Sequence, residues 1–179
     1  MVSLPETRSR VKVPDGVNVR LQGRTVIAKG PKGELQRTLP LSRVEVHVEE
    51  GNVVVRCALP RRSEKAAVGA FASHVKNLFD GVTKGYEYRL KTVFAHFPIK
   101  STVKGDQFII ENFLGERSAR KARILQGVKV DVKSEWVTVT GADLEKVSQT
   151  AANIERATKV RNRDIRVFQD GIYIVTKAA

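Results

Sequence analysis

The sequence predicts an α+β protein made of two tandem copies of one small module, each an antiparallel β-sheet packed with one α-helix. Three observations lead there. The first is an internal repeat. Val44–Val48 (V-E-V-H-V) and Val53–Cys57 (V-V-V-R-C) precede a helix-like run from Ser63 to Phe79. Val128–Val132 (V-K-V-D-V) and Trp136–Thr140 (W-V-T-V-T) precede another from Asp143 to Thr158, and a Gly-Glu pair, Gly33-Glu34 or Gly115-Glu116, comes before each. Self-similarity of this length marks two structural units of one kind. The second is size: 179 residues, 41% of them hydrophobic, can build cores and suffice for one large or two small domains. The third is charge: the chain carries +13 and has a pI of about 10.2, which suits a scaffold holding a large polyanion.

In chain order, Val17–Gln22 and Thr25–Lys29 flank Gly23-Arg24, a hairpin signal. Gly30-Pro31-Lys32-Gly33 forms a second turn, Glu34–Leu39 pairs next, and Pro40 ends it. Val44–Val48 and Val53–Cys57 make a hairpin across Glu49-Glu50-Gly51-Asn52, and Pro60 blocks its extension. Ser63 is the expected N-cap of the first helix. Val68, Phe71, Val75 and Leu78 recur at helical spacing as its buried stripe, and Asp80-Gly81 is the expected stop. The boundary between modules falls at 82/83, giving modules 1–82 and 83–179.

The second module opens with an alternating strand, Tyr86–Ala95, with Tyr86, Tyr88 and Leu90 on one face and a break at Pro98. Ile99–Val103 and Gln107–Asn112 flank Lys104-Gly105-Asp106. After a basic segment, Gly115–Arg123, comes the second hairpin. Then follows a helix capped by Asp143, with Leu144, Val147, Ala151 and Ile154 as its apolar stripe. A basic loop, Lys159–Arg166, leads through Gln169-Asp170-Gly171 to a last strand, Ile172–Val175.

Residues 1–82 carry 14 Lys+Arg against 8 Asp+Glu, and residues 83–179 carry 18 against 11, so both halves share the excess. Nucleic acid is the expected polyanion, because each neutralised phosphate releases counterions. An anionic membrane would call for a lysine cluster beside an amphipathic anchor, which the sequence lacks. No apolar run approaches the ~18 residues of a membrane span, and Met1–Lys12 lacks the apolar core of a signal peptide. The single Cys57 gives no disulfide framework, so a soluble intracellular protein is expected.

Little in the sequence suggests catalysis, and no metal site or cofactor is expected. His47, His74 and His96 lie far apart without metal-ligand spacing. Cys57 reads as a small core residue. No phosphate-binding loop of the nucleotide-hydrolase type and no dinucleotide fingerprint is present. In K-G-P-K-G, Lys29 and Lys32 could face a phosphate, though a plain hairpin turn explains the motif equally well.

Two basic segments stand out, with a third beside them. In Asn112–Arg123, Arg117, Arg120, Lys121 and Arg123 read as a phosphate-contact arm, or alternatively as a solubilising edge strand. In Lys159–Tyr173, Lys159, Arg161, Arg163 and Arg166 mix with Asn162, Gln169, Phe168 and Tyr173, a combination that suits folded RNA. Phe168 and Tyr173 could equally be buried under the last strand. In Phe94–Lys100, His96 and Lys100 could face RNA, while Phe97 reads as part of a packed turn.

These segments, in this order, resemble the large-subunit ribosomal protein L-six family in its archaeal and eukaryotic branch. The matching residues are F-A-H-F-P-I from Phe94, N-F-L-G-E-R from Asn112, D-L-E-K-V-S-Q-T-A-A-N-I from Asp143 and N-R-D-I-R-V-F-Q-D-G-I-Y from Asn162. V-K-V-P-D-G-V from Val11 and K-G-P-K-G from Lys29 fit as well, so the resemblance spans essentially the whole chain. The C-terminal P-Y-K-G-K-G-type motif of the bacterial branch is absent. The resemblance implies a duplicated α/β fold and a structural, non-enzymatic role in the large ribosomal subunit, in the cytoplasm. It implies binding of 23S-type rRNA by the second module, near the sarcin–ricin loop and the docking site of translational GTPases. It places the first module towards the stalk base and neighbouring ribosomal proteins, with no membrane and no small-molecule substrate. The rival readings are a free-standing RNA chaperone and an enzyme acting on nucleic acid. The second would need clustered acidic ligands or a His–nucleophile pair.

Overall fold

The structure is a computed structural model and describes residues 6–39, 43–49 and 51–177. The chain divides into two compact units, Met1–Lys84 and Gly85–Ala179, two residues beyond the boundary expected from the sequence.

The first unit runs β1 (Glu6–Lys12), β2 (Asn18–Gln22), β3 (Thr25–Gly30), β4 (Gly33–Thr38), β5 (Glu45–Glu49), β6 (Asn52–Ala58) and α1 (Arg62–Thr83). The second runs β7 (Tyr86–Val93), β8 (Lys100–Lys104), β9 (Gln107–Glu111), β10 (Arg120–Arg123), β11 (Val128–Lys133), β12 (Trp136–Gly141), α2 (Leu144–Ala157) and β13 (Gly171–Thr176). The repeat is therefore complete. Each unit has one three-stranded meander, β2-β3-β4 or β8-β9-β10, and one sheet in which a hairpin pairs with the unit's first strand. Those sheets read β5-β6-β1 and β11-β12-β7-β13, all antiparallel. Only the second unit follows its helix with a further strand, β13.

Strand alternation and helical spacing meet in two cores. In the first unit, Val53, Val55 and Cys57 of β6 and Val26 and Ala28 of β3 face Val68, Phe71, Val75 and Leu78 of α1. All four stripe residues expected from the sequence are buried. In the second, Tyr86, Tyr88 and Leu90 of β7, Val137 and Val139 of β12 and Phe108 and Ile110 of β9 enclose Val147, Ala151 and Ile154 of α2. Asp143 caps α2 as expected, accepting a hydrogen bond from the Glu145 N–H at 3.0 Å.

Some boundaries differ from the sequence reading. Ser63 is not the N-cap: Arg61 is, and its N–H donates to Glu64 Oε2 at 2.6 Å, so the carboxylate three residues on satisfies the helix end. Asp80-Gly81 does not stop α1. The helix runs on to Thr83 because Val82 is fully buried, and Gly85, at φ +75°, then provides the left-handed turn. Gly30 needs to be glycine for a different reason: a Cβ there would stand 2.7 Å from the Val82 carbonyl oxygen. The strand from Tyr86 ends at Val93, not at Ala95. β1 is not among the strands expected from the sequence, although Glu6, Arg8, Arg10 and Lys12 alternate with Thr7, Ser9 and Val11. Its residues Thr7, Ser9 and Val11 offer only one apolar side chain to the inner face. The expected end at Pro40, and Glu50 in the hairpin turn, lie outside the described residues. No described helix is long and apolar enough to cross a membrane.

Candidate nucleic-acid interface

Within the second unit, three segments separate in sequence are bonded to one another. The first follows β7, residues 94–99. The second is the tight turn Phe113–Gly115 with the arm through β10, and the third is the loop from Thr158 to Asp170 between α2 and β13. Asp170, 4% exposed, accepts a hydrogen bond from the Ala95 N–H at 3.1 Å, tying the first segment to the third. The Asn112 side-chain amide donates to the Pro98 carbonyl at 3.1 Å, and a Cβ on Gly115 would stand 3.3 Å from the Phe97 ring, so the first segment also grips the second. Arg120 joins the second to the third, its Nη1 donating to the carbonyls of Ala157 at 2.9 Å and Lys159 at 3.1 Å.

The structure gives Arg120 other work than the phosphate contact expected of it. Nε and Nη2 make two parallel bonds to Glu116, at 2.8 and 2.6 Å, and the guanidinium lies 4.2 Å from the Phe113 ring centre. Hydrogen bonding from Arg120 holds the Glu116 carboxyl below the ordinary glutamate range. The remaining cations of the arm, Arg117, Lys121 and Arg123, are exposed, without an ion-pair partner among the described residues. The arm thus ends in an edge strand, β10, with Arg120 drawn inward and Lys121 and Arg123 outward, while Arg117 stands exposed just before it.

The loop is exposed yet held at both ends. Thr158 accepts from the Ile172 N–H at 3.0 Å and donates to the Glu155 carbonyl at 3.1 Å, while Val160 is buried. The Asp164 carbonyl accepts from the Val167 and Phe168 N–H groups at 3.1 and 2.9 Å. Its carboxylate accepts from Arg166 Nη2 at 2.9 Å and Nε at 3.2 Å, and these bonds lower its pKa. The Arg166 side chain remains 87% exposed. The Arg163 guanidinium lies 4.8 Å from the centre of the half-buried Phe168 ring, which packs on the core. Asn162, at φ +58°, turns the chain, and Arg161 and Lys159 project freely. Tyr173 is 43% exposed rather than buried under the last strand, and its hydroxyl donates to the Gln169 carbonyl at 3.0 Å.

Other expected residues lie elsewhere. Lys100 is exposed on β8, two strands from β10 in the same sheet. Phe97 is 41% exposed, less packed than the sequence suggested, and meets His96 edge-on at 4.9 Å. Lys29 and Lys32 belong to the first unit's β3–β4 hairpin. The Lys32 N–H is taken by the Val82 carbonyl at 2.9 Å, so only its side chain remains for a phosphate.

Sequence reasoning missed Glu116, Asp164 and Asp170 as the acids that shape this surface. It also missed Ile165 and Val167, which stand 68% and 71% exposed among the cations. Their signal was an apolar residue on either side of Arg166, outside any strand or helix pattern. The surface therefore offers fixed guanidinium forks, free lysines, side-chain amides and small apolar faces, a set matched to phosphates, ribose edges and unstacked bases. Among the described residues no group of three or more His, Cys, Asp or Glu could hold a metal ion.

The ribosomal protein L6 family model matches residues 13–85 and 97–171, one match for each copy of the duplication. The large ribosomal subunit protein uL6 of Aeropyrum pernix is 51% identical to this chain over 166 residues, covering 92% of this chain and 91% of its own length. That of Methanobrevibacter smithii is 45% identical over 177 residues, covering 99% of both.

Proposed function

The chain belongs to the ribosomal protein L6 family, and from that premise we propose that it is a structural constituent of the large ribosomal subunit whose second unit grips 23S-type rRNA. The family is structural rather than enzymatic, and its place is the ribosome, in the cytoplasm. The observation that carries the RNA reading is the stitching of residues 94–99, the β10 arm and the 158–170 loop into one surface bearing Arg117, Lys121, Arg123, Lys159, Arg161 and Arg163.

In this mechanism the cations neutralise phosphates, and the bonded framework beneath fixes their spacing. Recognition is then of a folded RNA shape rather than of a base sequence. Asn162, Tyr173 and the faces of Ile165 and Val167 add hydrogen bonds and apolar contact to riboses and bases. Lys100 and Arg166 add further charge in the second unit, and Lys29 and Lys32 offer a separate pair of cations on the first unit's β3–β4 hairpin. Arg120 acts from beneath as a positioning residue. The RNA region proposed is the neighbourhood of the sarcin–ricin loop, where translational GTPases dock, with the first unit towards the stalk base and neighbouring large-subunit proteins. The influence on translation is indirect, through keeping that RNA surface in shape.

Sedimentation of the tagged chain from gently lysed cells, with the pellet washed at rising salt, tests the reading. Comigration with large subunits at about one copy each, resistant to high salt because many phosphate contacts must break together, is the expected result. Release at modest salt would indicate a free-standing RNA chaperone instead.

A further inference from the structure

The duplication leaves one strand position filled in the second unit and open in the first. β7 is flanked by β12 on one side and β13 on the other. Its counterpart β1 is flanked by β6, and no described strand bonds its other edge. The Val13 N–H donates to the Gly51 carbonyl at 2.9 Å, extending the β1–β6 register by one residue. Hydrogen-bonded residues alternate along an antiparallel pair. Thr7, Ser9 and Val11 therefore turn their backbone groups to β6, while Arg8, Arg10 and Lys12 turn theirs to the open edge.

Those three residues also put their side chains on the solvent face, opposite the core-facing Val11. Arg8 reaches Glu49 at 2.6 Å, whereas Arg10 and Lys12 have no acidic partner among the described residues. Beside them a shallow depression over Val54 is lined by Arg10, Glu49 and Asn52.

We propose that the β1 edge is a docking site for an extended acidic segment of a partner protein, which adds as an antiparallel strand where the second unit has β13. Residues of the guest opposite Arg8, Arg10 and Lys12 exchange backbone hydrogen bonds with them. Carboxylates at alternate guest positions then face the cations on the same side of the sheet, where opposite-charge pairs stabilise. A second copy of this chain is disfavoured as the guest, because antiparallel pairing of two β1 strands centred on Arg10 would set Arg8 against Lys12 and Arg10 against itself. RNA could engage the side chains and some N–H groups, but only an added strand matches the alternating donors and acceptors along the whole edge. This inference does not rest on the RNA reading of the second unit.

Amide hydrogen exchange on the full chain tests it, with a synthetic peptide of alternating Glu and Thr as the probe. Adding the peptide should slow exchange at Arg8, Arg10 and Lys12 by about tenfold or more, and leave Thr7, Ser9 and Val11, already bonded to β6, unchanged. A peptide with Lys in place of Glu should not do so. Arg10→Pro, which removes a donor from the open edge only, should abolish the slowing at Arg8 and Lys12. Continued protection of Thr7, Ser9 and Val11 would show that the β1–β6 ladder survives the change. Unchanged exchange at saturating acidic peptide, or an equal response to the Lys peptide, overturns the proposal. So does a short RNA duplex that shifts the Arg8, Arg10 and Lys12 side-chain signals while the acidic peptide leaves their amides unprotected.

Discussion

Arg120 and Glu116 face each other through two parallel hydrogen bonds of 2.8 and 2.6 Å, and the same guanidinium reaches the carbonyls of Ala157 and Lys159. One side chain thus binds the turn before β10, the strand itself and the end of α2. Arg120→Ala would leave Glu116 without its partner and two carbonyls without this donor. It should destabilise the second unit by about 2 kcal/mol, measured by denaturant unfolding. Arg120→Lys should recover little of this, since an ammonium cannot make the parallel pair. Arg117→Ala, at an exposed neighbour, should stay within about 0.5 kcal/mol.

The same pair sets a pH dependence. Because the folded-state pKa of Glu116 is depressed below 4.5, its contribution is present above that value and is lost as pH falls through the folded pKa. Stability of the second unit should therefore fall more steeply below pH 4.5 in the parent chain than in Glu116→Gln, as read by unfolding midpoints across an acid series. Parallel curves would remove Glu116 from the acid response.

Asp170 holds the 94–99 segment through the Ala95 N–H. Asp170→Ala should free that amide, raising its hydrogen-exchange rate while the amides within β7 stay slow. RNA affinity should fall as well, although no cation is removed. Faster exchange with RNA affinity intact would leave residues 94–99 outside the interface.

Gly30→Ala tests the packing of the first unit. The added methyl would meet the Val82 carbonyl at 2.7 Å and its Cγ2 at 2.9 Å, where the neighbour is backbone and a fully buried side chain. A loss of about 1–3 kcal/mol is expected by thermal or denaturant unfolding.

Much of this architecture is legible in the sequence because local pattern and tertiary demand agree. Val68, Phe71, Val75 and Leu78 mark one face of α1 and are buried, and the V-x-V runs of β5, β6, β11 and β12 pair as their alternation suggests. The rest depended on contacts distant in sequence. β1 offers a single apolar inner residue, Val11, and becomes a strand by pairing with β6, whose residues lie 40 to 52 positions further on. Gly81 reads as a helix stop, but burying Val82 against the core carries α1 past it. The basic segments of the second unit were visible as runs of Arg and Lys. Which cation turns inward was not, because the partners of Arg120 include carbonyls 37 and 39 residues further on.

The most direct test of the RNA reading is binding of the purified chain to isolated large-subunit rRNA across a salt series. Arg161→Ala with Arg163→Ala should weaken binding and lower the slope of log affinity against log salt by roughly 0.7–0.9 for each phosphate that is no longer neutralised. Both side chains are exposed, so the fold should be kept, with a stability loss of no more than about 1 kcal/mol from the Arg163 contact with Phe168. A slope and affinity unchanged from the parent would take the 158–170 loop out of the interface and contradict the account.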